Sequence, residues 1–148
     1  MNRVEVNAEE VPLPPWSGAS ARFARRVLET LDRDGWELSV LYCGDRFISG
    51  LNARYRNRNE ATDVLSFSQG GGNRRGRFVA GDIVISLDTL AKNAAYFGIA
   101  VDEELRRLLV HGILHLTGMD HTSNKESEPM LLLQEKILAA LAEERIIP

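Results

Sequence analysis

The sequence predicts an α+β fold in one domain, a mixed sheet of about four strands packed with helices. Three observations carry that expectation. Strand-like and helix-like segments alternate from Arg3 to Arg56, a glycine-rich β-hairpin pattern occupies 63–86, and the chain reads as helical from Asp88 onward. A length of 148 residues suits a single domain, and 44% hydrophobic with 26% charged residues is the balance of an ordinary globular protein.

The elements follow in order. Arg3–Val6 reads as a short strand, and Pro12, Pro14 and Pro15 as a rigid connection. Ser17 or Ser20 is the expected N-cap of a helix to about Leu31, with Phe23, Val27, Leu28 and Leu31 as its apolar stripe. Trp36–Cys43 is a second strand. Gly44-Asp45 opens a helix carrying Phe47, Ile48, Leu51 and Tyr55 at helical spacing, and Asn57–Ala61 is a polar loop. Asp63–Phe67 is a compact strand and Phe78–Ser86 its return. Gln69–Arg77 between them is expected to be a mobile basic loop. Asp88–Phe97 is a helix stopped by Gly98. Asp102 is the expected N-cap of the next, which ends at Gly118, and Glu126–Glu144 is the last amphipathic helix.

Composition excludes several classes. One cysteine, Cys43, rules out an internal disulfide framework and fits a reducing compartment. No apolar run approaches the roughly 18 residues of a membrane helix, and the first residues lack the apolar stretch of a signal peptide. A cytoplasmic protein without membrane contact is the expectation. The net charge of −3 does not advertise a nucleic-acid binder, but its distribution does more. From Arg46 to Arg77, seven arginines (46, 54, 56, 58, 74, 75, 77) face only Glu60 and Asp63, so this segment is +5 and the remainder −8. Arginine suits bidentate phosphate contacts.

The chemistry concentrates in eleven residues. His111, His115 and His121, the three histidines of the chain, all lie there. Placement alone gives that spacing on the order of one time in 4,000. His111 and His115 are four apart, so both imidazoles project from one helical face. Gly118 can end the helix and turn the chain back, bringing His121 in as a third nitrogen donor. Three neutral imidazoles hold Zn²⁺ with one position open for water. The spacing is that of the metzincin proteases, which carry Glu beside the first His. Here that residue is Gly112, so the metal site is metzincin-like while peptide hydrolysis lacks its base.

These residues resemble a known family, the YbeY-type endoribonucleases or rRNA maturation factors. Its pattern H-G-x-L-H-L-x-G-x-D-H is matched at His111, Gly112, Leu114, His115, Leu116, Gly118, Asp120 and His121. Further blocks are Leu51-Asn52, Tyr55-Arg56, Thr62–Phe67 and Gly81–Ser86, with weaker echoes at Met130, Glu135, Ile137 and Leu138. Ala61 departs from the proline usual before the Thr, which bears on loop rigidity. The resemblance spans roughly residues 40–140. It implies a single domain, 1–148, acting as a zinc-dependent, single-strand-specific endoribonuclease in maturation of ribosomal RNA, notably the small-subunit 3′ end, and in ribosome quality control. It implies one Zn²⁺ on His111, His115 and His121, with Arg56 and His111 as catalytic candidates. The implied partners are single-stranded ribosomal RNA rather than DNA, with small-subunit ribosomal proteins and a ribosome-assembly GTPase as protein candidates. The rival readings are a zinc metallopeptidase and a ribosome-associated RNA-binding protein with a structural metal.

Other residues have two readings. Arg56 is either a phosphate clamp or a surface arginine favourable to a helix C-terminus. Arg54, Arg58, Arg74, Arg75 and Arg77 read singly as solvated charges and together as a phosphate track. Arg107 is expected to pair with Glu103 and Glu104. Asp120 either orients an imidazole or caps the turn after Gly118, the second being favoured. Cys43 reads as a buried small residue. Trp16, Trp36, Tyr55 and Phe67 read as core, with base stacking the alternative.

Overall fold

The computed structural model describes the backbone of residues 1–148 and every side chain except those of 72–74. The elements are β1 Arg3–Ala8, α1 Ser17–Thr30, β2 Trp36–Cys43, α2 Asp45–Arg56, β3 Val64–Arg74, β4 Arg77–Ser86, α3 Leu87–Phe97, α4 Val101–Leu116 and α5 Pro129–Ala140. The strands form one sheet in the order β1-β2-β4-β3. β1, β2 and β4 run parallel, and β3 pairs antiparallel to β4 at the edge. The α+β architecture with a four-stranded mixed sheet is as the sequence predicts.

Strand alternation divides the interior into two cores. Leu38, Val40 and Tyr42 of β2 and Ile83 and Ile85 of β4 join the main core with α1, α4 and α5. Cys43 and Val84 join Ile48 of α2 and Leu65 of β3 in a smaller cluster, against which Leu41, Phe47, Leu51 and Phe67 pack. Leu105, Leu108, Leu109, Ile113 and Leu116 of α4 are buried as expected, and so is Trp36, stacked on Phe78 with ring centroids 4.5 Å apart. Trp16 packs edge-on against Tyr42. Cys43 is 0% exposed, and its thiol donates to the Ile85 carbonyl at 3.5 Å.

Four boundaries differ from the sequence-based expectation, each for a physical reason. Neither Ser17 nor Ser20 caps α1. Trp16 holds the cap position without a side-chain bond, and the buried Ser20 hydroxyl turns back to the Ser17 carbonyl at 2.7 Å. The basic loop at 69–77 is largely sheet: β3 runs to Arg74 and β4 starts at Arg77. Arg75 and Gly76 both have positive φ, the two-residue turn whose twist suits a hairpin. The last helix starts at Pro129, where a proline suits the first helical position, and stops at Ala140.

The fourth difference is Asp102. The cap of α4 is Ala100, and Asp102 lies inside the first turn. Its buried carboxylate accepts the Ile146 and Ile147 backbone N–H groups, both at 2.7 Å, and Arg106 Nε at 2.9 Å. It thus pins the C-terminal tail across the start of α4. Burial pushes this carboxyl up, but the two N–H donors and Arg106 outweigh it and hold it below the usual aspartate range. A carboxylate with a depressed folded pKa stabilises above its unfolded pKa and loses that contribution as pH falls. Asp102→Ala should lower unfolding free energy by about 3 kcal/mol at pH 7, since Arg106 and two N–H groups lose their acceptor. Urea denaturation should show the gap to the parent protein narrowing below about pH 4.

Candidate metal centre and cleft

α4 ends in a motif that builds part of the site. Gly118, at φ +97°, follows the cap residue Thr117. Its N–H donates to the His115 carbonyl at 3.0 Å, and Met119 N–H donates to the Leu114 carbonyl at 3.2 Å. That is a Schellman closure. It returns the chain so that the Met119 carbonyl meets His115 Nδ1 at 3.1 Å.

His111, His115 and His121 offer ligand atoms within 4.8 Å of one another, and all three are half-buried. Each Nδ1 is tied to an acceptor: His111 to Gln134 Oε1 at 2.7 Å, His115 to the Met119 carbonyl, His121 to the Ser123 carbonyl at 2.8 Å. A carbonyl only accepts, so Nδ1 carries the proton and Nε2 keeps a free lone pair. His111 and His115 Nε2 lie 3.1 Å apart, near the roughly 3.3 Å between nitrogens sharing one zinc. Burial pushes both imidazoles below the usual histidine value. For His115 the His111 ring adds to that effect, and for His111 Gln134 partly opposes it. Both are neutral at pH 7, the form a metal binds. The donor set fits a divalent, nitrogen-preferring metal.

His111 and His115 open into a cleft of about 790 Å³. Its opposite wall is residues 64–68 of β3, and Arg56 and Arg58 stand at its rim. Arg56, the last residue of α2, donates from Nη2 to the Ser66 carbonyl at 2.8 Å, and its guanidinium carbon lies 5.6 Å from the Phe67 ring centroid. One N–H is thus committed to holding the group in place, and the rest of the donor fork stays available.

Gly112 explains why no acid follows His111. A Cβ built there would lie 2.9 Å from Ile83 Cγ2, a buried side chain of β4. The helix touches the sheet at this residue, and the Ser66 hydroxyl donates to the Gly112 carbonyl at 3.3 Å.

The remaining candidates separate cleanly. Arg107 pairs with Glu103 at 3.2 Å and Glu104 at 3.5 Å as expected, and also with both oxygens of Glu135, at 3.0 and 3.1 Å. Asp120 accepts the His121 backbone N–H at 2.8 Å and stays 4.0 Å from His115 Nδ1, so it shapes the turn. Burial pushes the Cys43 thiol up to about 12, far from a nucleophile's range. The basic segment is split. Arg56 and Arg58 line the cleft, Arg54 lies over the Tyr55 ring, Arg46 faces Glu10 at 3.9 Å, and Arg77 donates to the Met1 carbonyl. Arg75 is exposed at the hairpin turn, and the Arg74 side chain lies outside the described ones. Tyr55 is not core as expected: it is 56% exposed. Sequence reasoning missed Gln134. Its signal was a polar residue in the apolar stripe Met130, Gln134, Ile137, Leu138.

Fold and site together define an α+β protein whose three-histidine cluster, suited to a metal ion, faces an arginine-rimmed cleft. The family profile described as Endoribonuclease YbeY matches residues 7–142, and the chain belongs to that family. It is 46% identical over 145 residues to Endoribonuclease YbeY of Treponema pallidum (strain Nichols), covering 94% of this chain and 89% of the relative. To Endoribonuclease YbeY of Treponema denticola it is 51% identical over 120 residues, covering 78% and 77%. A solution structure of a Thermotoga maritima protein shares the fold, with a TM-score of 0.65 at 24% identity over 95% of this chain and 90% of that one. Family membership makes the chain a hydrolase of the endoribonuclease class.

Gln134 tests how the histidines are held. It is 6% exposed, and its amide nitrogen donates to Glu135, which leaves Oε1 for His111. Gln134→Leu should keep the fold but weaken metal binding by about 10–100-fold, measured with added Zn²⁺ as the probe ion in competition with a chromogenic chelator.

Proposed function

We propose that this chain, as a single domain over 1–148, hydrolyses phosphodiester bonds of single-stranded RNA at one zinc ion held by His111, His115 and His121. The observation that carries the reading is three clustered imidazoles, each fixed at Nδ1 and free at Nε2, two of which line one cleft with an anchored guanidinium. Zinc held there would supply Lewis acidity and would favour ionisation of water near neutral pH. His111, His115 and His121 provide neutral ligands, and the Nδ1 acceptors keep them oriented. Arg56, pinned at Ser66, directs its remaining donors at the non-bridging oxygens of the scissile phosphate, where charge builds in the transition state.

The cellular role follows the family: maturation of ribosomal RNA in the cytoplasm, notably the small-subunit 3′ end, and ribosome quality control, with small-subunit ribosomal proteins and an assembly GTPase as partners. No described helix is long and apolar enough to cross a membrane. The peptidase reading is the weaker one. It needs a carboxylate after His111, and any side chain at Gly112 would have to displace the buried Ile83. The structural-metal reading is weaker too, because the cluster among the described residues supplies three ligands and structural zinc sites close with four.

Three outcomes check this reading. Purified protein should carry close to one zinc by elemental analysis and cleave single-stranded RNA while leaving casein intact. His115→Ala should lose most of the metal and lower Tm. Arg56→Ala should keep its zinc and nearly all its RNA affinity yet lower the single-turnover rate at saturating enzyme by about 10²-fold or more. An unchanged saturated rate with weaker binding would make Arg56 one more phosphate contact.

A further inference from the structure

The cleft does not end at the arginines. Phe67 of β3 walls it on one side and also lines a second groove of about 430 Å³ on the other. That groove lies over the smaller core, lined by Phe47, Leu51 and Tyr55 of α2 and Val84 of β4. Two of its residues are aromatics beside the candidate catalytic group, one exposed and one half-buried against the smaller core. Tyr55 is 56% exposed and meets Phe67 edge-on, with centroids 5.4 Å apart at 69°. Arg54 lies 5.4 Å over Tyr55, and Arg56 lies 5.6 Å over Phe67. An exposed tyrosine ring set against a half-buried phenylalanine, interleaved with guanidinium groups, is the composition of a single-strand binding surface.

We infer that Tyr55 and Phe67 form a stacking subsite for one unpaired nucleobase next to the scissile phosphate. The inference rests on the nuclease reading of the cleft. Charge decides which part of the nucleotide goes where. The cleft side of Phe67 carries Arg56, whose remaining donors suit a phosphate, while Arg58 there is paired with Glu60 at 3.7 Å. The groove side carries Asp82, whose carboxylate is bonded to the Ser39 hydroxyl and to Gln69 Nε2 at 2.8 Å, and which repels a phosphate. A base has no charge to be repelled and offers amino groups to the oxygens of Asp82 and Gln69. Its volume class also agrees, since grooves of a few hundred Å³ with apolar walls and few polar groups suit flat small ligands. A paired base cannot leave its helix to reach this groove without unstacking, so the subsite explains single-strand preference through binding geometry. Tyr55 binds substrate and takes no part in bond making.

The test uses the zinc-loaded protein and short single-stranded RNAs with one cleavage position, each carrying one abasic nucleotide at a different place around it. The unsubstituted protein should lose roughly 5- to 150-fold in kcat/KM at one flanking position, the range for one stacked base. Tyr55→Ala should lose a similar factor on intact RNA and show no further loss on the abasic RNA at that position, with zinc content and Tm unchanged. Tyr55→Phe, which keeps the ring, should restore the abasic sensitivity. Binding of RNA carrying 2-aminopurine at the same position should quench its fluorescence, and Tyr55→Ala should abolish the quenching. If RNA is cleaved but Tyr55→Ala retains full abasic sensitivity and quenching, the subsite is refuted and the nuclease reading stands. If Tyr55-dependent quenching occurs without any cleavage, the subsite stands and the nuclease reading falls. Normal cleavage of free RNA by Tyr55→Ala, with loss only on ribosomal particles, assigns this face to a protein partner and overturns the proposal.

Discussion

The contact of α4 with the sheet at Gly112 is the constraint on which the rest of the site depends. Helix and sheet normally stand apart by the depth of two side chains. At Gly112 one side chain is absent, and Ile83 fills the gap. The helix is thereby drawn against β4 at one residue, with His111 just before the contact and His115 a turn after it. The Ser66 hydroxyl locks the same point from β3. The imidazoles therefore face residues 64–68, and the cleft has two walls of regular structure. Regular elements place reacting groups more accurately than loops do.

The other contributions to the site are arranged around that contact. α2 delivers Arg56 from its last residue, and the Ser66 carbonyl fixes it. α5 delivers Gln134 to His111, and the turn after Gly118 delivers carbonyls to His115 and His121. Arg107, joined to Glu103, Glu104 and Glu135, ties α4 to α5 behind the histidines. Two kinds of charge thus share this small protein. Arg107 and Arg106 serve architecture, whereas Arg56 keeps donors open to the cleft.

Periodicity made most of the fold legible. The strands alternate, the helices carry i, i+4 stripes, and Gly98 and Gly118 stand where helices end. The histidine spacing likewise placed two imidazoles on one face and the third beyond the turn. What escaped was long-range. Asp102 looks like a cap in sequence, yet Ile146 and Ile147, more than forty residues away, claim its carboxylate. Gln134 sits 23 residues from His111 and follows no motif spacing. The hairpin looked like a loop because of Gly70, Gly71 and Gly72, yet the ladder only skips at Gly70 and Gly71, which take positive φ in an irregularity, and resumes with Gly72 opposite Val79. Tyr55 looked like core because helical spacing fixes a face but not how far the sheet extends to cover it.

Cys43 carries a practical consequence. It is the chain's one thiol, sealed between strand and helix, with its proton held at a carbonyl and its ionisation pushed far above neutral pH. Thiolate is the form that peroxide and electrophiles attack, and here it is scarcely populated. Oxidative bursts that disable thiol-dependent enzymes find no thiol to attack at this protein's surface. The same feature makes it a clean background for attaching a single reporter, since a cysteine introduced on the exterior would be the one thiol that reacts.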